Sequence, residues 1–188
     1  MTNSGRVRWT LLCEDRRHEQ FFRGLGIQVL GCAPEKILPA PKGKGAASAW
    51  VLHQYPDHVR RTVRRYPSER VALIAVIDGD HIGFRERARC FDESLVSCSE
   101  PKRNNERIAI CIPSWEIETW VAWLCGWRPA RGSLDESRSF KSEVEKDMAH
   151  GRTNISAALA AWSPPLPDEE KFVPSLTQAR NEIDRILR

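Results

Sequence analysis

The stretch Val71-Ala72-Leu73-Ile74-Ala75-Val76-Ile77-Asp78-Gly79-Asp80 joins a continuous apolar run to two carboxylates. Seven apolar residues in succession predict a strand that is buried on both faces, which is typical of a parallel sheet. If the strand geometry persists, Asp78 and Asp80 point to the same side of its carboxyl end, where open α/β sheets bind ligands. Two interpretations are open. Either a hard cation such as Mg²⁺ relieves the repulsion between the carboxylates, or Asp-Gly-Asp only turns the chain.

The composition is that of an ordinary water-soluble protein, with 188 residues, 41% hydrophobic and 29% charged residues and a net charge of +4. This length suits one sizeable α/β domain, with room for a small appendage. No apolar run approaches the roughly 20 residues of a membrane span, and the first residues lack the apolar core of a signal peptide. The six cysteines form no C-x-x-C pair, which argues against a zinc or redox motif. We therefore expect a cytoplasmic protein.

A third acidic residue is expected at the same edge of the sheet. Residues 7–13 predict a first strand, Glu14 follows it, and residues 15–25 predict a helix that Gly26 ends. Because parallel strands end at one edge of a sheet, Glu14 can meet Asp78 and Asp80 there. The alternative is that Glu14 only favours the dipole of the following helix.

Basic residues cluster between the first two long strands. Residues 27–38 predict a bent edge strand and residues 46–66 predict two helices, the second beginning at Pro56. Lys42 and Lys44 lie in a glycine-containing loop, and the second helix carries four arginines: Arg60, Arg61, Arg64 and Arg65. Such a cluster either attracts a polyanion or is a solvated helix face.

Beyond the D-x-D sequence, residues 82–95 predict a helix and residues 107–113 another buried strand. Ser114 is then a credible N-cap for an apolar helix over residues 115–124. Glu116 and Glu118 fall in the buried first turn of this helix. A capping role explains one of these acids, and a metal or a basic partner would explain the other.

The order of elements predicts an α/β fold with a mainly parallel sheet flanked by helices. Residues 1–127 form the predicted core. Residues 128–188 form a predicted helical extension packed on the core, with helices over 140–149, 155–162 and 174–188.

Together these motifs resemble the TOPRIM domain, and in particular the TOPRIM-like proteins related to the OLD (overcoming lysogenisation defect) nucleases. The family's first motif is similar to V-E-G-x-T-[DE]-x-x-F-L, and here Cys13–Phe22 matches it in Glu14 and the trailing aromatic residues. Asp15 replaces the family glycine. Asp78 and Asp80 match the D-x-D, and Pro113–Trp120 matches P-x-x-E-x-E-x-W. The resemblance covers roughly residues 7–124.

The resemblance implies divalent-metal phosphodiester chemistry. Glu14, Asp78 and Asp80 would bind one or two Mg²⁺ or Mn²⁺ ions, and Glu118 or Glu116 would complete the site. Glu14 is also a candidate general base. Lys141 is a candidate for holding the scissile phosphate, and the basic cluster would hold the nucleic-acid backbone without reading its sequence: Lys42, Lys44, Arg60, Arg61, Arg64 and Arg65.

The function expected from the resemblance is a metal-dependent nuclease that acts on DNA, in bacterial phage defence. Because the chain has no Walker motif, a partner ATPase of the kind used by OLD-type relatives would be a separate protein. Two alternatives remain open. One is a non-catalytic TOPRIM-shaped sensor or partner subunit that binds nucleic acid or protein, which the replacement by Asp15 favours. The other is a different α/β enzyme, such as a small-molecule phosphotransferase.

Overall fold

The computed structural model of the protein describes residues 6–41, 46–66, 68–98, 107–151 and 154–187. The strands are β1 (Arg8–Cys13), β2 (Lys36–Pro39), β3 (Val71–Val76) and β4 (Ile108–Cys111). The helices are α1 (Arg16–Gln28), α2 (Ala47–Arg65), α3 (Gly83–Ser97), α4 (Ile117–Leu124), α5 (Lys141–Ala149), α6 (Ile155–Ala160), α7 (Glu169–Phe172) and α8 (Pro174–Leu187). A single 3-10 turn over Asp80–Ile82 precedes α3.

The four strands form one parallel sheet in the order β2-β1-β3-β4. Cys13, the last residue of β1, lies opposite Val76 of β3 and Pro39 of β2, and Val76 lies opposite Cys111 of β4. The carboxyl ends of all four strands are therefore in register along one edge. This confirms the predicted α/β fold with a parallel sheet flanked by helices, a Rossmann-like arrangement.

Side-chain alternation along the strands divides the core into two layers. On one side Leu11 and Ile74 pack in a cluster that includes Phe21 of α1 and Trp120 of α4. On the other side the core residues come from the strands and from α2 and α3: Leu12, Leu73, Ala75, Val51, Tyr55, Val59, Phe91 and Leu95. The sheet thus has helices on both faces, as its apolar strands require.

The helices after residue 128 contribute to the first of these layers. Val144, Leu159, Leu176 and Ile183 belong to the same apolar cluster as the strand residues of that side. Helix α8 lies against β4, where Arg107 Nη1 donates a hydrogen bond to the carbonyl oxygen of Ile186 (3.0 Å). The carboxyl-terminal segment therefore covers part of the sheet.

Two predicted element boundaries were wrong because tertiary packing outweighs a local signal. Helix α2 runs without interruption through Pro56, whose ring is buried with Tyr55, so packing offsets the lost hydrogen bond. Helix α1 continues past Gly26 to Gln28. There an added Cβ would lie 2.6 Å from the Cys32 carbonyl oxygen and 2.7 Å from Trp9 Cζ2, so glycine allows a close approach between the helix and its surroundings.

The predicted N-cap of α4 was also wrong. Helix α4 begins at Ile117 with Glu116 as its N-cap residue. Ser114 instead donates a hydrogen bond from its hydroxyl to Glu136 (2.7 Å). No helix in the part of the chain that the structure describes is long and apolar enough to cross a membrane.

A buried ion pair joins the two last helices. Arg180 of α8 makes two contacts with Glu169 of α7, from Nε to Oε1 (2.7 Å) and from Nη2 to Oε2 (3.0 Å). The guanidinium also lies 4.3 Å from the centroid of the Trp162 ring. Both partners of the pair are buried, so each charge depends on the other.

We predict that Arg180→Leu lowers the free energy of unfolding by about 3 kcal/mol, because it leaves the buried Glu169 carboxylate without its counter-ion. The matched control is Arg23→Leu, which removes an exposed partner of Glu19 and should change stability by less than about 0.5 kcal/mol. Urea denaturation measures both values. Equal, small changes in the two variants would contradict the role of the pair.

Candidate functional site

The ends of β1 and β3 bring two of the predicted acids into contact. Glu14 directly follows β1, and Asp78 lies two residues beyond β3, its neighbour in the sheet. The backbone N–H of Asp78 donates a hydrogen bond to Glu14 Oε2 (3.1 Å). Glu14 and Asp78, which are 64 positions apart, therefore meet at the carboxyl-terminal edge of the sheet.

Asp78 is buried, with 7% of its surface exposed, and its Oδ1 atom accepts two hydrogen bonds. One comes from His18 Nε2 (2.9 Å) and the other from the backbone N–H of Ile117 (3.1 Å), the first residue of α4. On the other side of the imidazole, His18 Nδ1 lies 3.2 Å from Asp15 Oδ1 without the alignment of a hydrogen bond. His18 is completely buried between these two carboxylates.

This environment keeps His18 protonated at neutral pH. Burial alone would lower the pKa of His18, but the carboxylates of Asp78 and Asp15 outweigh it and raise the pKa to about 10. The positive charge of the imidazolium therefore offsets the negative charge of Asp78 inside the protein.

Asp15 explains why His18 reaches this position. It is the N-cap of α1, and its Oδ1 accepts hydrogen bonds from the backbone N–H groups of Arg17 (2.8 Å) and His18 (2.9 Å). The helix therefore begins immediately after Glu14, and its first turn carries His18 to Asp78. Asp15 thus has a capping role in this chain.

Asp80 is close in sequence to Asp78, but its side chain contacts α3 and not α1 or α4. The strand ends at Val76, and Asp80 has a positive φ of 48°, so strand alternation does not extend to it. Asp80 Oδ2 lies 3.0 Å from Arg87 Nη2 of α3, and Arg87 Nε donates to the Asp78 carbonyl oxygen (2.9 Å). Asp78 thus faces α1 and α4, whereas Asp80 faces α3.

Gly79 lets the loop between these two acids approach the end of β4. Its N–H donates to the carbonyl oxygen of Pro113 (2.8 Å), and the N–H of Asp80 donates to that of Trp115 (3.0 Å). A Cβ at position 79 would lie 2.2 Å from the Ser114 carbonyl oxygen, so a side chain would force the two loops apart. The positions of both aspartates depend on this glycine.

Glu118 faces two basic side chains at the same edge. It is 2% exposed, and its Oε1 lies 2.8 Å from Arg17 Nη1 and 3.8 Å from Lys141 Nζ. The contacts with Arg17 and Lys141 therefore explain how the Glu118 carboxylate can be buried. The candidate Lys141, the first residue of α5, does lie beside the predicted acids.

Glu116 makes different contacts. Its Oε1 accepts hydrogen bonds from the backbone N–H of Phe140 (2.9 Å) and from the hydroxyl of Ser139 (3.0 Å), at the start of α5. Glu116 therefore fixes the start of the helix that carries Lys141. Burial raises the pKa of Glu116, and the nearby charges of Glu118 and Asp78 add to this shift.

Burial changes the acidity of this edge. It raises the pKa of Glu14, although the Asp78 N–H opposes the shift. It also raises the pKa of Glu118, against the effects of Lys141 and Arg17. Glu14 and Glu118 therefore hold protons more readily than exposed glutamates do.

We call this group of four acids and four bases the edge cluster: Glu14, Asp78, Asp80, Glu118, Arg17, His18, Arg87 and Lys141. Hard divalent cations prefer oxygen ligands, and the carboxylates of this cluster could supply them. In their present arrangement, however, three of the acids face basic side chains. Among the described residues, no group of three or more His, Cys, Asp or Glu side chains is placed to hold a metal ion. A cation that binds these carboxylates would therefore have to displace one or more of the basic side chains that now contact them.

The predicted arginine cluster lies elsewhere. Helix α2 ends at Arg65, which pairs with Glu69 (2.9 Å) just before β3 begins, so this end of the helix is at the amino-terminal edge of the sheet. Arg60 pairs with Asp57 (2.7 Å) on the same helix, and Arg61 and Arg64 belong to this end as well. Lys42 and Lys44 lie outside the described residues. The four arginines therefore do not join the edge cluster.

Three bases of the edge cluster had not been singled out from the sequence: Arg17, His18 and Arg87. The available signal was the position of Arg17 and His18 in the first turn of a helix that starts directly after Glu14.

No family model, curated protein sequence or solved structure matches this chain.

We predict that the stability contributed by His18 depends on pH. The pKa is 6.5 without the protein environment and about 10 in the fold, so the contribution is complete below pH 6.5 and is lost as the pH rises to about 10. His18→Gln should therefore lower the free energy of unfolding by about 3 kcal/mol near pH 6, since it leaves Asp78 uncompensated, and by less at pH 10.

Urea denaturation in EDTA measures this difference at several pH values. The control is His53→Gln, which changes an exposed histidine of α2 and should have no comparable pH-dependent cost. A His18→Gln penalty that is the same at pH 6 and pH 10 would contradict a buried imidazolium.

Proposed function

We propose that the protein is a divalent-metal-dependent phosphodiesterase of the TOPRIM/OLD nuclease type that cuts DNA. The observation that carries the proposal is the meeting of Glu14 and Asp78 at the carboxyl-terminal edge of a parallel sheet, with Arg17 and Lys141 in the same cluster. Open α/β sheets bind ligands at this edge. The partner ATPase and the role in phage defence rest on the family resemblance alone.

In this proposal Glu14, Asp78 and Asp80 would hold Mg²⁺ or Mn²⁺, which would supply positive charge for the phosphate and for the attacking oxygen. About half of the Asp80 side chain is exposed, and within the described part of the chain it pairs with Arg87 alone, so it is the acid most readily turned toward a new cation. Asp78 is held in place by His18 and the Ile117 N–H, which fix the direction of its Oδ1 atom. The site is therefore partly organised before a cation binds.

The remaining residues suit the binding of a phosphate group. Glu118 draws Arg17 and Lys141 together, and Lys141 keeps about half of its side chain exposed. A guanidinium and an ammonium beside a metal site are suitable donors for the oxygens of a phosphodiester. Glu14, whose pKa is raised by burial, is suited to take a proton from the attacking water. Glu116 positions Lys141 through the start of α5 and needs no metal contact.

The test is cleavage of supercoiled plasmid DNA with Mn²⁺ or Mg²⁺, with EDTA as the blank. We expect Asp78→Asn to lower the rate by at least about 100-fold, since loss of cation stabilisation costs several kcal/mol. Asp57→Asn, an exposed acid of α2, is the control and should keep full activity. Thermal unfolding checks that both variants fold.

The proposal fails if wild type and Asp78→Asn cleave DNA equally, or if neither cleaves it in the presence of the metals. Because Asp78→Asn also disturbs the contact with His18, Asp80→Asn is the second variant. It leaves that buried contact intact and should also lose activity.

A non-catalytic subunit of the same shape is the second candidate. The observation that favours it is that Asp78, Asp80 and Glu118 already face His18, Arg87 and Arg17. A protein whose acids serve only to bind these bases should give no heat on titration with Mg²⁺ and no gain in thermal stability, whereas a metal site should raise stability by linkage.

A further inference from the structure

A small polar cavity of about 130 Å³ lies at the amino-terminal edge of the sheet, opposite the edge cluster. One wall is supplied by Glu35, which directly precedes β2, and by the first residues of the strands: Arg8 and Thr10 of β1, Lys36 of β2, and Val71 and Ala72 of β3. Helix α2 supplies the other wall with His58, Arg61, Thr62 and Arg65. We call this site the basic cavity.

The periodicities of the strands and the helix explain how these side chains meet. Arg8, Thr10 and the core residue Leu12 alternate along β1 on the side that packs against α2. Positions 58, 61, 62 and 65 follow the spacing i, i+3, i+4, i+7, so they form one stripe of α2. Arg61 and Arg65 are on this stripe. Arg60 and Arg64 are not among the residues that line the cavity.

The arginines at two sides of the cavity already have acidic partners. Arg8 contacts Glu69 and lies 3.4 Å from Glu35, and Arg65 lies 2.9 Å from Glu69 and 3.7 Å from Glu35. These two glutamates offset the charges of the two arginines and fix their side chains around the cavity.

Lys36 and Arg61 differ from these arginines, because no carboxylate within the described ranges forms an ion pair with either of them. His58 lies between them. Burial lowers the pKa of His58, and the charges of Arg61 and Lys36 lower it further, against the opposite effect of Asp57. The cavity therefore carries an excess of positive charge.

We propose that the basic cavity binds a phosphate group. Lys36 and Arg61 supply positive charge that has no carboxylate counter-ion among the described residues, and Thr10 and Thr62 add hydroxyl groups to the lining. A clustering of like charges in a partly enclosed cavity is relieved by an anion, and guanidinium geometry suits phosphate oxygens. The source is either free phosphate or the backbone of a nucleic acid. The inference stands whether or not the edge cluster binds metal.

The test is isothermal titration of the full chain in EDTA with inorganic phosphate, and separately with a twelve-nucleotide single-stranded DNA. We expect the double variant Lys36→Gln/Arg61→Gln to bind at least about tenfold more weakly than wild type, because it removes two charged hydrogen-bond donors from the wall of the cavity. The control is Arg60→Gln/Arg64→Gln. It removes two positive charges from the carboxyl-terminal end of α2, as many as the cavity variant removes from β2 and α2 together, but should change affinity by less than about threefold.

The two titrations also separate the sources of the phosphate. If inorganic phosphate binds and DNA does not, the ligand is a free phosphate. If DNA binds and is lost in the cavity variant, the ligand is a backbone phosphate. NMR of the His58 ring localises the event, because a bound anion should raise the pKa of His58 in wild type and in the control variant.

The proposal is overturned if neither ligand binds wild type, or if the two double variants weaken binding equally. It is also overturned if binding leaves the His58 resonance unchanged, since phosphate would then be held elsewhere. None of these outcomes bears on the nuclease proposal, which Asp78→Asn and Asp80→Asn test at the opposite edge of the sheet.

Discussion

The contact between His18 and Asp78 is the interaction on which the rest of the carboxyl-terminal edge depends. It places a charged pair in the interior, and the Asp78 oxygen that accepts from His18 also accepts from the first N–H of α4. Helices α1 and α4 are therefore both positioned against the end of β3 by one carboxylate. A buried pair of this kind offsets its desolvation only when its geometry is good, and losing one partner costs more than the pair contributes. The contact therefore favours a single arrangement of α1 and α4 at the carboxyl-terminal edge of the sheet.

The charge at the two edges of the sheet is organised in opposite ways. At the carboxyl-terminal edge, acids from two separate segments face bases from α1, α3 and α5, so positive charge is supplied from within the protein. At the amino-terminal edge, Glu35 and Glu69 offset two arginines while Lys36 and Arg61 stay without carboxylate partners in the described part of the chain. An incoming cation competes with resident bases at the first edge. An incoming anion at the second edge would meet Lys36 and Arg61, although Glu35 also lines that cavity.

The features that follow from local pattern could be predicted from the sequence. Apolar runs fix the strands, and parallel strands bring Glu14 and Asp78 to one edge whatever the details of the loops. The partners of these acids could not be predicted in the same way. His18 is 60 positions from Asp78, and Arg17 is 101 positions from Glu118, so their pairing depends on the assembled core. The placement of the α2 arginines also depends on the assembled fold, since Arg61 and Arg65 line the basic cavity and Arg60 and Arg64 do not.

The central claim is that Glu14 and Asp78 hold a divalent cation at the carboxyl-terminal edge of the sheet. Anomalous diffraction from crystals soaked in Mn²⁺ tests it most directly. The account predicts a manganese peak beside these two carboxylates, together with a displaced Arg87–Asp80 contact. A map with no peak at this edge, in which His18 and Arg87 keep their present contacts, would contradict it.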